Sequence, residues 1–345
     1  MTSEGSIEAA IVRMGLAAPG EAPALTPLAG GVSSDIYRVD LPAGPVCVKR
    51  ALAQLKVAAP WFAPVQRNRY EAAWLRFAND ACPGSAPRVI AEDAQGLAFA
   101  MPYLPPDEHP PWKARLRDGA VDPAFAAEVG ARLGAIHAAS ADSAAIARRF
   151  ATDASFHAIR LEPYLLATAR VHADLAPALE QLARRTAGTR RVLVHGDVSP
   201  KNILCGPAGP ILIDAECAWF GDPAFDLAFC LNHLLLKSAW RPAHHAAYQA
   251  SFRALARAYL ERVRWEPARE LEARAATLLP ALMLARIDGK SPVEYLRSAR
   301  NKALVRDFAR ASMGTPAPTG AHASLDALAA LWHDCVASNP PAPEP

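Results

Sequence analysis

The sequence lacks the signals of a secreted, membrane-spanning or nucleic-acid-binding protein. Its six cysteines are widely scattered and form no Cys-x-x-Cys pair, which is typical of buried thiols in a reducing cytoplasm. No stretch of 18 uninterrupted apolar residues occurs, and the first residues lack the apolar core of a signal peptide. The net charge of +3 is too small to indicate nucleic acid or a membrane surface as a partner. We therefore expect a cytoplasmic protein with neither kind of partner.

The composition is that of an ordinary globular protein. Apolar residues make up 52% of the 345 positions and charged residues 21%, so the chain can bury a sizeable core. A chain of this length corresponds to about two domains. Two lobes with a cleft between them would fit it.

Two polar clusters follow short apolar runs in the second half of the chain. Residues 192–194 and 211–213 have the β-branched composition of buried strands, and a turn rich in Gly and Pro separates them. Each run should therefore deliver its polar cluster to a loop. The first cluster reads His195-Gly196-Asp197-Val198-Ser199-Pro200-Lys201-Asn202, and the second reads Asp214-Ala215-Glu216.

The spacing within these clusters suits phosphoryl transfer to a hydroxyl group. That reaction needs one carboxylate to accept the hydroxyl proton and a separate set of oxygen ligands to hold magnesium on the phosphates. Asp197 suits the first role, and Asn202 and Asp214 suit the second. A single Asp or Asn in a loop is usually turn chemistry or a helix cap. The combination of all three favours a catalytic site.

The same residues resemble those of a known enzyme family. Relative to protein kinases, His-Gly-Asp stands in place of His-Arg-Asp, and Ile-Asp-Ala-Glu in place of Asp-Phe-Gly. These replacements are similar to those of the aminoglycoside phosphotransferase and choline kinase family, small-molecule kinases that include methylthioribose kinase. A following run strengthens the resemblance: Gly221-Asp222-Pro223-Ala224-Phe225-Asp226-Leu227-Ala228. The resemblance implies ATP and Mg²⁺ as cofactors and a loop-bracing role for Asp226.

The resemblance also implies an α+β fold of the protein-kinase-like, bilobal type. Residues 1–104 should form a small nucleotide-binding lobe with a β-sheet and one helix, of which residues 1–27 are a leading helix and linker. Residues 105–337 should form a larger, mainly helical lobe that binds the acceptor. The Pro-rich residues 338–345 are expected to be a disordered tail.

Four residues of the first lobe are candidates for contact with the phosphates. Gly30 and Gly31 lie at a predicted hairpin turn, where backbone N–H groups can approach phosphate oxygens, although most such pairs are plain turns. Lys49 ends an apolar strand and can reach the α- and β-phosphates, with Glu71 of the following helix as its partner. The alternatives are an exposed strand charge for Lys49 and an exposed helix charge for Glu71.

The resemblance assigns adenine binding to the linker between the lobes. This segment contains Met101, Tyr103 and Leu104, and its backbone would form hydrogen bonds to the base. The Pro-rich composition alone would indicate only a domain boundary.

Two further charged residues have alternative interpretations. Lys201 could neutralise charge on the transferring phosphoryl group, or it could be a solvent-facing lysine. Glu216 could share magnesium with Asp214, or it could face away and only shape the loop. The resemblance implies that His195 points into the loop scaffold and organises it, and we interpret Asp197 as the base.

The expected substrate is a small molecule with a hydroxyl group. Only seven residues separate Asp214 from Asp222, too few for the activation segment of a protein kinase, which disfavours a protein substrate. Residues 255–310 contain twelve Lys or Arg and seven Asp or Glu, whereas a polycationic aminoglycoside would prefer an acidic wall. We therefore expect a neutral or anionic, sugar-like acceptor. An aminoglycoside phosphotransferase and a catalytically silent nucleotide-binding regulator remain the alternatives.

Overall fold

The computed structural model describes residues 6–28, 34–54, 64–314 and 324–342. The first part of the chain forms a five-stranded antiparallel sheet with the strand order β1-β2-β3-β5-β4. Its elements are α1 (Ile7–Arg13), β1 (Ala24–Pro27), β2 (Ser34–Leu41), β3 (Gly44–Ala51), α2 (Arg67–Ala81), β4 (Ala91–Asp93) and β5 (Ala98–Pro102).

Alternation along β3 divides its side chains between the two faces of this sheet. Val46 and Val48 pack with Ile7 and Ile11 of α1 in a small apolar cluster. Lys49 points to the other face, where it meets Glu71 of α2. Helix α1 thus covers the outer face of the sheet, while the inner face carries the predicted lysine.

The expected linker at residues 1–27 is only partly a linker. Residues Ala24–Pro27 form the edge strand β1, which pairs with β2. Proline can end an edge strand because its missing N–H lies on the unpaired side or beyond the ladder. The Pro- and Ala-rich composition of the segment conceals this strand.

The rest of the chain is mainly helical. Its helices are α3 (Trp112–Arg117), α4 (Pro123–Ser140), α5 (Ala144–Arg149), α6 (Asp153–Phe156), a π-helix (His157–Leu166), α7 (Ala167–Val171), α8 (Ala176–Gly188), α9 (Pro223–Trp240), α10 (His245–Leu260), α11 (Ala268–Asp288), α12 (Ala299–Gly314) and α13 (Leu325–Ser338). None of the helices in the described ranges is long and apolar enough to cross a membrane.

Sequence signals fix the start of the two central helices. Asp122 caps α4 and Asp222 caps α9, and in each case a proline occupies the first helical position. Every residue of α9 from Pro223 to Trp240 is buried. This helix therefore forms the centre of the large lobe, and its first turn lies beside the loop that follows β6.

Two small antiparallel pairs present the polar clusters. Strand β6 (Val192–Val194) pairs with β9 (Trp219–Gly221), and β7 (Ile203–Gly206) pairs with β8 (Gly209–Leu212). The apolar runs predicted β6 and β8. Their partners β9 and β7 have only three and four residues, too few to show the alternation of apolar and polar side chains that indicates a strand. The predicted polar loops begin where β6 and β8 end.

The expected disorder from residue 338 onward differs from the structure. The side chain of Asn301 in α12 donates to the carbonyl of Ala342 at 2.8 Å and accepts from its amide at 2.8 Å. Pro341 is buried as well. The prediction of a disordered tail is therefore wrong as far as Ala342, because a buried asparagine from another helix fastens this segment.

Candidate active site

Lys49 connects the small lobe to the loop after β8. Its ammonium group lies 2.7 Å from Oε1 of Glu71 and also pairs with Oδ1 of Asp214. Lys49 and Glu71 are each 2% exposed, so neither is a solvated surface charge. Burial opposes the charge of Lys49, but Asp214 and Glu71 outweigh it and raise the pKa of the lysine. The predicted pair of Lys49 and Glu71 is thus present, with Asp214 as a second partner.

Asp214 has an unusual backbone conformation. Its φ of +67° lies in the left-handed region, which Asp tolerates better than most residues with a side chain. Burial would raise the pKa of this carboxyl, but Lys49 and Lys201 outweigh it and hold the pKa well below its usual range. Asp214 is therefore ionised, which is the form in which a carboxylate binds a cation.

Glu216 has a partner that the sequence did not indicate. Nε of Arg67, at the start of α2, donates to Oε2 of Glu216 at 2.9 Å. The same guanidinium also donates to the carbonyl of Leu52 at 2.7 Å. Glu216 is thus held in an ion pair that joins the loop to the small lobe, and its predicted metal role stays a prediction.

Asp197 is buried between two cations. Nη2 of Arg160 lies 2.9 Å from its Oδ2, and Nζ of Lys201 lies 3.1 Å from the same oxygen. Burial would raise the pKa of Asp197, but Arg160 and Lys201 outweigh it and lower the pKa. The side chain of Lys201 is 54% exposed and contacts the candidate base, and its predicted role toward the transferring phosphoryl group stays a prediction.

Asn202 is oriented by the loop that carries Asp197. Its Nδ2 donates to the backbone carbonyl of Asp197 at 3.1 Å, at the end of a 3₁₀ turn of residues Pro200–Asn202. This bond fixes the amide nitrogen, and the amide oxygen lies on the opposite side of the group. Asn202 and Asp214 thus supply oxygen donors of the kind that Mg²⁺ prefers. Magnesium usually takes one or two protein ligands and completes its shell with phosphates and water.

The loop between β6 and the 3₁₀ turn is held from beneath by Asp226 in the first turn of α9. Its carboxylate accepts from the amides of His195 at 2.7 Å and Gly196 at 2.8 Å. The oxygen that accepts from His195, Oδ2, also lies 3.2 Å from Nε2 of His137, and Nδ1 of His137 lies 2.8 Å from the hydroxyl of Tyr259. The loop-bracing role expected of Asp226 is thus visible as hydrogen bonds.

His195 and Gly196 fix the shape of this loop. Nδ1 of His195 accepts from the amide of Asp197 at 3.1 Å, and Nε2 faces the carbonyl of Ile213 at 3.1 Å. These contacts assign the proton of the neutral ring to Nε2, and burial lowers the pKa of His195. Gly196 has a φ of +79°, and a Cβ there would lie 2.6 Å from the carbonyl oxygen of Cys217. Only glycine fits this position.

The remaining candidates lie at the end of β5 and in the segment 29–33. Met101 is in β5 opposite Cys47, and the amide of Tyr103 donates to the carbonyl of Pro45 at 3.4 Å. Tyr103 and Leu104 begin the connection between the sheet and α3, and the predicted binding of adenine by this segment stays a prediction. Gly30 and Gly31 lie outside the described residues, and their predicted contact with phosphates stays a prediction.

Arg160 is a partner of Asp197 that sequence reasoning missed. It lies in the π-helix, which contains Pro163, and it reaches the loop after β6 from a distance of 37 residues along the chain. A buried arginine within a helical pattern looks like an exposed charge in the sequence. Its only signal is its position between apolar neighbours, Ile159 and Leu161.

Comparison with known proteins identifies the family and the fold. The model of the APH phosphotransferase enzyme family matches residues 24–265, which is more than half of the chain. No curated protein sequence that was compared with the chain matches it significantly.

Similar solved structures include three kinases. The amicoumacin kinase hAmiN, in complex with AMP-PNP, Ca²⁺ and amicoumacin, is 16% identical over 86% of this chain and 91% of its own, with a TM-score of 0.56. The Plasmodium vivax ethanolamine kinase is 9% identical over 96% and 86%, with a TM-score of 0.53. The choline kinase of Cryptosporidium parvum is 11% identical over 88% and 93%, with a TM-score of 0.52. The chain belongs to the phosphotransferase enzyme family, has the protein-kinase-like fold and is an enzyme of the small-molecule kinase type.

Proposed function

We propose that the protein transfers the γ-phosphoryl group of Mg-ATP to a hydroxyl group of a small, neutral or anionic, sugar-like molecule. The observation that carries this proposal is the buried Asp197, held ionised by Arg160 and Lys201 beside the Lys49–Asp214 pair. The names of the similar kinases support it, since amicoumacin, choline and ethanolamine kinases phosphorylate small molecules.

Asp197 would bind the acceptor rather than act as a strong base. The transition state of phosphoryl transfer is loose, so catalysis depends mainly on positioning and on electrostatic stabilisation. A carboxylate with a lowered pKa stays ionised, accepts a hydrogen bond from the hydroxyl and takes its proton late in the step. Lys201, which is half exposed and shares Oδ2 of Asp197 with Arg160, would turn toward the transferred phosphoryl group.

Lys49 would hold the phosphates, with Glu71 fixing its position. Gly30 and Gly31 would contribute backbone amides, and the segment containing Met101, Tyr103 and Leu104 would bind adenine. When bound, magnesium would neutralise part of the phosphate charge, and Asn202 and Asp214 would hold it. Glu216, with one oxygen on Arg67, would have its other oxygen left for the metal.

The test is ADP release with Mg-ATP across a panel of hydroxyl compounds: aminoglycosides, methylthioribose and other sugars, choline, ethanolamine and homoserine. Asp197→Asn keeps the shape of the side chain and removes its charge. We expect at least one acceptor whose turnover falls roughly 100-fold or more in this variant, as general-base positions do. Asp334→Asn, an exposed change on α13, is the matched control and should leave turnover unchanged.

The same experiment separates the alternatives. Thermal-shift titration with ATP analogues measures nucleotide binding, which Asp197→Asn should retain. Equal ADP release by the native protein and Asp197→Asn would contradict the proposed role. Nucleotide binding without transfer to any acceptor would favour the regulator, and preference for aminoglycosides would favour the resistance enzyme.

A further inference from the structure

A second concave site lies in the large lobe beside α9. A cavity of about 520 Å³ opens between α3, the end of α9 and the segment after α11. Its walls include the rings of Trp240 and Tyr295 and the charged side chains Lys113, Arg117 and Glu294. None of these residues belongs to the candidate nucleotide or metal site.

Lys237 is buried against the two aromatic rings of this cavity. Its ammonium nitrogen lies 4.2 Å from the ring centroid of Tyr295 and 5.0 Å from that of Trp240, and the residue is 1% exposed. The two rings are neighbours, with centroids 4.9 Å apart. An ammonium group over aromatic faces gains some cation–π stabilisation. The rings do not replace the oxygen atoms that would accept hydrogen bonds from its N–H groups.

Three polar groups at this point have no hydrogen-bond partner among the described residues. They are Nζ of Lys237, Nε1 of Trp240 and the hydroxyl of Tyr295. Buried polar groups in proteins are nearly always paired with protein atoms or ordered water, so three such donors beside one cavity mark a place where a polar ligand can be bound. All three can donate a hydrogen bond. The charged ammonium group of Lys237 and the indole N–H of Trp240 cannot accept one. The group that satisfies them together is an acceptor, and beside an ammonium it is an anion.

The charges around the cavity agree with an anion. Lys113 and Arg117 stand on α3, and Glu294 is paired with Lys113. With Lys237 included, the positive charges exceed the negative charge of Glu294. The field of the cavity therefore favours a carboxylate or a phosphate over an ammonium group.

Helix α9 connects this cavity to the candidate catalytic loop. Asp226, Phe229, His233, Lys237 and Trp240 follow one another at intervals of three or four residues and therefore share one face of the helix. The first of them braces the loop. Lys237 follows Asp226 by eleven positions, which corresponds to about 16 Å along the helix axis. A ligand that reaches both sites would be elongated.

The electrostatic environment of His233 supports this continuity. Burial lowers the pKa of His233, and positive charges from both sites lower it further: Arg286, Lys237, Lys201 and Lys113. A histidine that experiences the cation of the catalytic loop and those of the cavity lies between the two. Arg286 bounds the same region, with Nη1 3.3 Å from the hydroxyl of Tyr164.

We propose that the acceptor carries a carboxylate or phosphate group, which binds Lys237, Trp240 and Tyr295 while its hydroxyl group lies at Asp197. This inference rests on the proposed phosphotransferase function and narrows its substrate from a neutral or anionic compound to an anionic one.

The kinetic test uses elongated acceptor pairs that differ in the anionic group: panthenol and pantothenate, and trehalose and trehalose 6-phosphate. ADP release is measured with the native protein, Lys237→Met and Tyr295→Phe. We expect the anionic member of at least one pair to be preferred at least tenfold. Lys237→Met should raise its KM by roughly 10- to 100-fold, the range of a hydrogen bond to a charged group, and change kcat little.

Two variants make the result specific. Tyr295→Phe removes one hydroxyl and should weaken the same preference by a smaller factor. Lys302→Met, on α12 and outside the cavity lining, should leave the preference unchanged. A neutral member that is turned over as well as its anionic partner, or a preference that survives in Lys237→Met, would overturn the inference.

A binding measurement keeps the inference testable if no acceptor is phosphorylated. Thermal-shift titration with pantothenate and trehalose 6-phosphate should stabilise the native protein and Lys302→Met, but not Lys237→Met. That result without any transfer would support the anion site and contradict the proposed function. No shift of the native protein with either anion, together with no anion preference in turnover, would refute the site.

Discussion

The unpaired lysine beneath the cavity predicts a substitution that stabilises the protein. Burial lowers the pKa of Lys237 to about 7, and the charges of Lys113, Arg241 and Arg117 contribute to this, while Glu294 opposes them. The ordinary pKa of a lysine is 10.5. The difference between the two pKa values corresponds to roughly 5 kcal/mol, which is the free-energy cost of keeping Lys237 charged in the folded protein. The substitution Lys237→Met also removes the cation–π contacts, and this loss lowers the stability by up to about 2 kcal/mol. Lys237→Met should therefore raise the free energy of unfolding by about 3 kcal/mol.

The pH dependence gives the sign of this effect. Between pH 7 and 10.5 the unfolded chain binds the proton of Lys237 more tightly than the folded protein, so native stability rises with pH in that window. Below pH 7 both states are protonated, and the penalty is at its full and constant value. The advantage of Lys237→Met should thus be largest at pH 6 and should shrink steadily toward pH 10.

Urea unfolding followed by circular dichroism at pH 6, 8 and 10 measures this difference. Lys302→Met is the control, and its difference from the native protein should not change with pH. A Lys237→Met variant that is less stable than the native protein at pH 6, or whose advantage is the same at all three pH values, would refute the reasoning. Saturation with a cavity-bound anion should raise the pKa of Lys237 and reduce the advantage of the variant.

Three further predictions concern the candidate catalytic loop. Arg160→Gln removes the cation at 2.9 Å from Asp197, so the acid limb of the kcat profile should move to higher pH by about one unit or more. Gly196→Ala places a Cβ against the carbonyl of Cys217 at a positive φ, and urea unfolding should show a loss of at least ~2 kcal/mol. Asp226→Asn removes the charge that accepts two loop amides, and unfolding should show a similar loss of ~2 kcal/mol or more together with a lower kcat.

Matched changes check these three. Arg184→Gln alters an arginine that is 70% exposed and should leave the pH profile unchanged. Gly188→Ala introduces a Cβ with nothing within 4 Å and should not destabilise the protein. Asp334→Asn alters an exposed carboxylate and should preserve both stability and kcat. An acid limb that stays in place in Arg160→Gln, or full stability in either loop variant, would contradict the assigned contacts.

The sequence predicted the parts of the site that are local in the chain. Asp197, Asn202 and Asp214 lie in short loops after apolar runs, and their spacing, together with the family resemblance, predicted which side chains belong to one site. The pair of Lys49 and Glu71 followed from a strand and the next helix. These positions are recognisable because a few consecutive residues determine both the backbone and the chemistry.

The missed residues act across distance. Arg160 and Arg67 reach the candidate site from helices far away in the chain, and their charges look like ordinary exposed ones. Arg67 also gives Glu216 a partner that the two-residue spacing from Asp214 could not reveal. Lys237 was hidden for the same reason, since a lysine in a helical pattern is usually solvated.

The ion pairs of the loop after β8 have a consequence for how the two lobes move. Lys49 and Arg67 both belong to the small lobe, and their partners Asp214 and Glu216 lie on one loop of the large lobe. Two ion pairs at neighbouring positions of one loop therefore tie the small lobe to the large one. In the proposed function, phosphates on Lys49 would compete with Asp214 for the ammonium group, and the released carboxylate would become available to a metal ion. Nucleotide binding would then be an exchange of ion partners, coupled to the assembly of the proposed metal site.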